Sequence, residues 1–445
     1  MTATPTAPTI HPVLQGSPFQ SYVYAYPHKT AYRPLSPSRS LATVWSQEPT
    51  DRLFLYLHIP FCTMRCGFCN LFTTPRPNDS LVALYLDSLR RHADVVRSRI
   101  PNAKFSQFAI GGGTPTYLNE PALEAVFDLA EHSMGVDLQD VPVAIETSPD
   151  TINSDKASLM RVRGVTRVSI GVQSFVESET ANVGRPQSAT EVDAALTLLQ
   201  LGRFPTFNID LIYGLPGQTV DTWLSSIRRA LIYGPNELFL YPLYVRPLTG
   251  LGRSQKRWDD LRLACYREGR ELLLSEGFTQ ISMRMFRRQR SSLVTTPVYC
   301  CQEDGMIGLG CGARSYTRDL HYSLDYAVGA KNVKEIIADY LSRGGDEFSA
   351  VDYGFELDLS EQRRRYLLQS ILNIAGLRVS EYRRRFGTEP EYDFPDLLLF
   401  SEFGLLTMSE GVWRPTIRGL ERADAIGPWF YSSTVRSLMS EYVPR

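Results

Sequence analysis

Nowhere does the chain carry a run of about 18 uncharged apolar residues, which excludes a membrane-spanning helix of ordinary length. Its opening, MTATPTAPTIHPVLQGSP, lacks a basic segment followed by a long apolar one, so no secretory signal is expected and the expected location is cytoplasmic. An excess of either charge is also missing. With 47 basic and 48 acidic residues the formal net charge is −1, which gives neither nucleic acid nor an anionic membrane a general reason to bind. The cysteines are few and odd in number: seven, three of them inside FCTMRCGFCN. That usage fits a reducing compartment and a metal site and argues against a disulfide framework.

What the chain does have is a hydrophobic content of 43% over 445 residues, enough for a sizeable core and more than one domain. Residues 1–50 are rich in Pro, Thr and Ser and contain SYVYAYPHKTAYRPL, which is expected to form an irregular arm whose tyrosines pack on another surface. Residues 51–250 repeat one unit, a short apolar strand, a Gly, Pro or polar turn, and a helical pattern. Strands are expected at Leu53–Ile59, Phe105–Ile110, Val141–Glu146, Arg167–Val172, Thr206–Ile212 and Glu237–Leu243, with Ser80 and Thr219 as helix N-caps. Six such units predict an α/β fold, a partial (β/α)6 TIM-like barrel with its active site at the C-terminal strand ends.

Residues 251–350 are expected to complete the barrel and cover a substrate, with one strong helix around Cys265 and the glycine-rich GMIGLGCGARSY. Residues 351–445 form a further domain, starting with the helix of LSEQRRRYLLQSILNIAGL and continuing to a hairpin and a last helix, in a winged-helix-like arrangement. The Arg363–Arg365 cluster is expected to be a solvated helix face.

The first strand runs directly into the cysteine loop, so Cys62, Cys66 and Cys69 stand at its C-terminal end in a C-x3-C-x2-C spacing. Three thiolates suit one iron–sulfur cube and leave one iron open, as catalytic metal sites usually do. Two blander readings stand beside this one: a Cys3His zinc knot that uses His58, and a second metal pair at Cys300 and Cys301.

YLHIPFCTMRCGFCN resembles the signature of the radical S-adenosylmethionine (SAM) superfamily, and its lead-in is similar to the HemN-like family of oxygen-independent coproporphyrinogen III oxidases. That resemblance implies a [4Fe–4S] cluster on Cys62, Cys66 and Cys69, with SAM on the open iron. It implies SAM contacts from Tyr56, Gly112 and Glu146, and a second SAM molecule held by Phe68, Gly113, Thr114, Gln173, Arg185 and Asp210. Leu243 and Ile307, or Leu309 in its place, correspond to apolar adenine contacts; Tyr56, Glu146, Gln173 and Asp210 are the catalytic candidates. The implied partners are a small-molecule substrate and an electron donor such as flavodoxin or ferredoxin.

Three features bear on substrate. The oxidases of this family carry another cysteine two residues past the third ligand, where Leu71 stands here. Its haem-chaperone branch carries H-N-x-x-Y-W, against His321-Tyr-Ser-Leu-Asp-Tyr326. AYPHKTAY, in contrast, is similar to the arm that covers the oxidases' porphyrinogen site. The leading expectation is methylation or cyclopropanation of an unsaturated small molecule, as in the class C radical SAM branch. The alternatives are porphyrinogen decarboxylation and a non-catalytic haem or cofactor carrier.

Overall fold

The computed structural model describes residues 10–254, 260–288 and 305–444. These divide into two compact units: residues 32–279 with 284–358 and 442–445 in one, and residues 1–31, 280–283 and 359–441 in the other. Cys300 and Cys301 lie outside the described residues.

The larger unit is built on the six expected strands, β1 (Leu53–Ile59), β2 (Phe105–Gly112), β3 (Val143–Thr147), β4 (Val165–Gln173), β5 (Thr206–Tyr213) and β6 (Glu237–Pro242). They pair in parallel and in sequence order, each with the next. Beyond β1 the strand Met306–Leu309 adds in parallel, and beyond β6 the strand Met285–Arg288 adds antiparallel. The β-α crossovers lay helices against the outer face of such a sheet, which is why the outward residues (Leu55, Leu57, Val168, Ile170, Ile209, Leu211) are all apolar and inaccessible. Inward residues differ. Phe54, Ala109, Met306 and Tyr316 close one end of the lumen as an apolar plug, and polar side chains occupy the rest.

Helix starts follow side-chain capping. Thr219 caps Val220–Ile232 in a capping box with Thr222, as its sequence suggests. Ser80 does not cap the first long helix. Asn78 does, because its backbone is extended and its side chain accepts from the Leu81 amide, so Asp79–Arg99 starts before Ser80.

The smaller unit holds the helices Leu359–Ile371 and Val379–Phe386 and a three-stranded antiparallel sheet of Leu377–Arg378, Val412–Pro415 and Leu406–Ser409, a winged-helix-like set. The N-terminal segment packs within it: Arg422 donates to the carbonyls of Val13 and Gly16, and the Tyr26 hydroxyl bonds Glu361. Arg363–Arg365 is not a solvated face. Arg363 pairs with Asp393 at 3.0 Å and Arg365 is 6% exposed, since this helix is turned into its unit and its arginines find buried acceptors there. Among the described residues no helix is long and apolar enough to cross a membrane.

Candidate active site

The cysteine loop is anchored at both ends and in the middle. Phe61–Cys62 pairs with Thr74–Pro75, closing the loop into a ring. At its centre the Gly67 amide donates to the Val183 carbonyl (2.7 Å) and its carbonyl accepts from the Leu251 amide (2.8 Å). A side chain at Gly67 would meet that Val183 oxygen at 2.9 Å, so glycine is required for the close approach. The loop's sulfurs are addressed individually: Thr114 Oγ1 lies 3.7 Å from Cys62 Sγ, Arg185 Nη1 3.3 Å from Cys66 Sγ, and Thr73 Oγ1 3.9 Å from Cys69 Sγ. Burial first, then the neighbouring sulfurs, pushes the Cys62 thiol up to about 12 and raises Cys69 as well. Three sulfurs crowded on one loop, with Cys62 and Cys69 held protonated by burial, are a donor set that fits a cationic metal cluster, whose binding displaces the protons.

His58 takes no part in this donor set. Its Nε2 lies 3.0 Å from the Phe72 carbonyl, so Nε2 carries the proton, and Nδ1 accepts from the Tyr56 hydroxyl at 3.3 Å. That geometry counts against the zinc knot. It also gives His58 a use the sequence reading missed: it ties Tyr56 to the far side of the cysteine loop. Inward alternation along LYLHI, which puts Tyr56 and His58 on one face, was the available signal.

Strand β2 ends in Gly111–Gly113, and each glycine clears space for something different. A Cβ on Gly111 would meet the Glu146 carboxyl and the Tyr56 hydroxyl at 3.0 and 3.1 Å, so these two groups converge over bare backbone. Gly112 adopts φ +116° against the His58 ring, and its amide donates to Glu146 Oε2 at 3.2 Å. A Cβ on Gly113 would meet the Phe61 carbonyl at 2.5 Å and Cys62 Sγ at 2.9 Å. We expect Gly113→Ala to lower the iron content of reconstituted protein and to destabilise it by about 1–3 kcal/mol, because the rigid backbone oxygen cannot yield. Iron assay and thermal denaturation check this; a fully loaded, equally stable variant would refute it.

Glu146 opens onto the lumen but is ringed by barrel wall, where a carboxylate is solvated worse than in bulk water. Burial, with the Asp210 charge second, pushes its carboxyl up to about 7; Asp210 itself is pushed up to about 6 by burial, against the bond it accepts from Asn208 Nδ2 at 2.7 Å. Asn208 in turn bonds Ser169 (3.2 Å), Ser169 bonds Arg167 (2.6 Å), and Arg167 and Arg287 flank the buried Glu237 at 3.0 and 2.7 Å. This inward ladder below Asp210 is readable as polar residues at alternate positions of β4 and β5.

Gln173 sits at φ +69°, in the left-handed region that disfavours a branched or long side chain. The β4–β5 register slips between Gly171 and Gln173, which re-aims the glutamine at the strand end. Arg185 Nη2 donates to the Gly171 carbonyl at 2.7 Å, and its Nε is buried without a partner. Strain and an orphaned donor together mark a site built for a ligand. Phe68 packs with Leu243, Val183, Ile212, Leu215 and Leu251 in one apolar cluster. Ile307 is not brought into the lumen. It pairs beside Leu55 on the face opposite Met306 and Phe54, and Leu309 shares its direction, so the strand's pleat leaves Gly308, beside Tyr56, as the inward position.

Among known proteins, the radical SAM superfamily model matches residues 56–230. The heme chaperone HemW of Escherichia coli is 30% identical over 274 residues, covering 59% of this chain and 69% of HemW. The oxygen-independent coproporphyrinogen III oxidase of Salmonella typhimurium is 27% identical over 430 residues, covering 90% and 91%. The crystal structure of coproporphyrinogen III oxidase (HemN) from Escherichia coli superposes with a TM-score of 0.79 at 22% identity, covering 95% of this chain and 98% of that one, which shows a shared fold.

Proposed function

The chain belongs to the radical SAM superfamily and, within it, to the HemN-like family of coproporphyrinogen oxidase and HemW relatives, and from this premise we propose that it is a radical enzyme acting on a porphyrinogen. Cys62, Cys66 and Cys69 would hold a [4Fe–4S] cluster, which when bound would supply the electron for reductive cleavage of SAM. The residues present hold and shield that chemistry. The convergence of Tyr56, the Gly112 amide and Glu146 over the bare Gly111 backbone, next to three thiols on one loop, is the observation that carries the reading.

In this reading the Glu146 carboxylate accepts from the SAM ammonium, and the Gly112–Gly113 backbone lies flat beneath it because no Cβ intervenes. Arg185 keeps a guanidinium face beside Cys66 and, with Gln173, Thr114 and Asp210, cradles a second SAM molecule, Asp210 taking its ribose or ammonium. The apolar cluster of Phe68 and Leu243 offers an adenine face. His58 holds the Tyr56 hydroxyl in place. A reductant of the flavodoxin or ferredoxin kind would supply the electron.

Porphyrinogen oxidation ranks above methylation, because a relative that spans 90% of the chain is an oxidase. Methylation keeps one specific observation in its favour: position 71, cysteine in the oxidases, is here a leucine that is 48% exposed. The carrier reading is supported by the likeness to the heme chaperone HemW of Escherichia coli; against it stands the burial of His321, which lies beside the Tyr316 ring at 4.3 Å. Anaerobic turnover with SAM, dithionite and coproporphyrinogen III tests the proposal. Decarboxylated porphyrinogen with stoichiometric 5′-deoxyadenosine is expected. Recovery of methyl label from SAM in a product, with coproporphyrinogen untouched, would replace oxidation by methylation, and absence of 5′-deoxyadenosine would replace both by a carrier.

A further inference from the structure

The smaller unit contains a cavity of about 370 Å3 that the chemistry above does not use. This lies within the size range of small-ligand sites. Arg364 and Arg436 both line it. The Arg364 guanidinium is held by one bond to the Phe430 carbonyl (3.0 Å) and lies 5.4 Å from the Phe394 ring centroid, while its Nε is buried with no partner. Among the described residues neither arginine has a carboxylate partner, in contrast to Arg363, which takes Asp393.

The acids that line the same cavity are already engaged. Asp393 accepts from Arg363 (3.0 Å), from the Tyr382 hydroxyl (2.7 Å) and from Thr388. Asp396 accepts from the Trp429 indole N–H at 3.0 Å. The helix Ser433–Glu441 begins at the cavity wall, capped by Ser432, which accepts from the Val435 amide at 3.0 Å. Its first two amides have no intrahelical acceptor and add positive potential to that of the two arginines. With Asp393 balanced by Arg363, the two arginines face one remaining carboxylate, Asp396, so the surplus is one positive charge, and Phe394 and Trp429 flank it with aromatic surface.

We propose that this cavity binds a small aromatic anion, its carboxylate or phosphate held between Arg364 and Arg436 at the start of the helix and its ring laid against Phe394 and Trp429. The proposal does not depend on the substrate proposed above. Phenyl phosphate and phenylacetate are the probes, titrated into the full-length, cluster-loaded protein by calorimetry and tryptophan fluorescence. Saturable one-to-one binding is expected with at least one probe, the tighter of the two identifying the head group, and it should weaken as salt is added. Arg436→Gln should weaken it at least about tenfold, the loss of one charge-assisted bond, and leave 5′-deoxyadenosine formation at the wild-type rate. Trp429→Phe should remove the fluorescence change but keep the heat. Arg364→Gln risks the fold through its bond to Phe430, so the exposed Arg436 carries the decision. No saturable heat with either probe at millimolar concentration, or binding indifferent to Arg436→Gln, would overturn the site.

Discussion

Cys66→Ala is expected to yield protein without the brown cluster absorbance and without SAM cleavage above background. Cys66 is the buried member of the three, on the stretch of loop that Gly67 pins to Val183 and Leu251, and Arg185 points at its sulfur. With it gone, two thiols remain for a cube that needs three protein ligands plus SAM, and His58, the nearest candidate in sequence, has both ring nitrogens committed to Tyr56 and Phe72. Iron and sulfide assay, visible spectroscopy and 5′-deoxyadenosine yield measure the effect. Because the barrel core does not run through the loop, the far-ultraviolet circular dichroism of the variant should match that of the parent. Cleavage retained by a variant that still binds iron would remove Cys66 from the ligand set.

SAM affinity should fall as pH drops below about 7, by about a decade per unit, because the Glu146 carboxyl, pushed up to about 7, is ionised above that pH and protonated below it. Only the ionised form accepts strongly from an ammonium. In the protein without SAM the sign for folding is the opposite one. Between the ordinary carboxylate value of 4.5 and 7 the native state keeps a proton that the unfolded chain has released, so stability declines as pH rises through that window. Glu146→Gln should weaken SAM binding by about 10–150-fold at pH 8, the loss of one hydrogen bond between charged groups, and flatten the pH dependence that remains above about 6, where Asp210 still titrates. Equilibrium binding of SAM to the reconstituted protein across pH gives both numbers. An unchanged slope in Glu146→Gln would assign the titration to another group.

The order of strands was legible because each is a short apolar run closed by a turn, and the parallel order follows from the helical pattern between every pair. The cysteine spacing was equally legible, being local. Limits of strands were read less well: β4 begins at Val165, two residues before the expected Arg167, and ends at Gln173, one past the expected Val172, where Gln173 continues the ladder only through a bulge. Ile307 was misplaced because a one-residue pleat decides between lumen and helix layer, and an apolar residue suits both faces at that level of the barrel. The arginines of Leu359–Ile371 were misread for a related reason: a charge run looks solvated until the acceptors that bury it, Asp393 and the Phe430 carbonyl, are brought in from residues far along the chain.

By itself the sequence determined the β-α alternation, the clustering of Cys62, Cys66 and Cys69 on one loop, and the glycines that let backbone approach them, because each depends on residues close together in the chain. Only the tertiary structure decided which polar groups meet. Glu146 and Asp210 share one lumen, Arg185 reaches Cys66, and Tyr56 is held by His58, since these contacts join separate strand ends whose facing is fixed by pleat, register and a single strained glutamine.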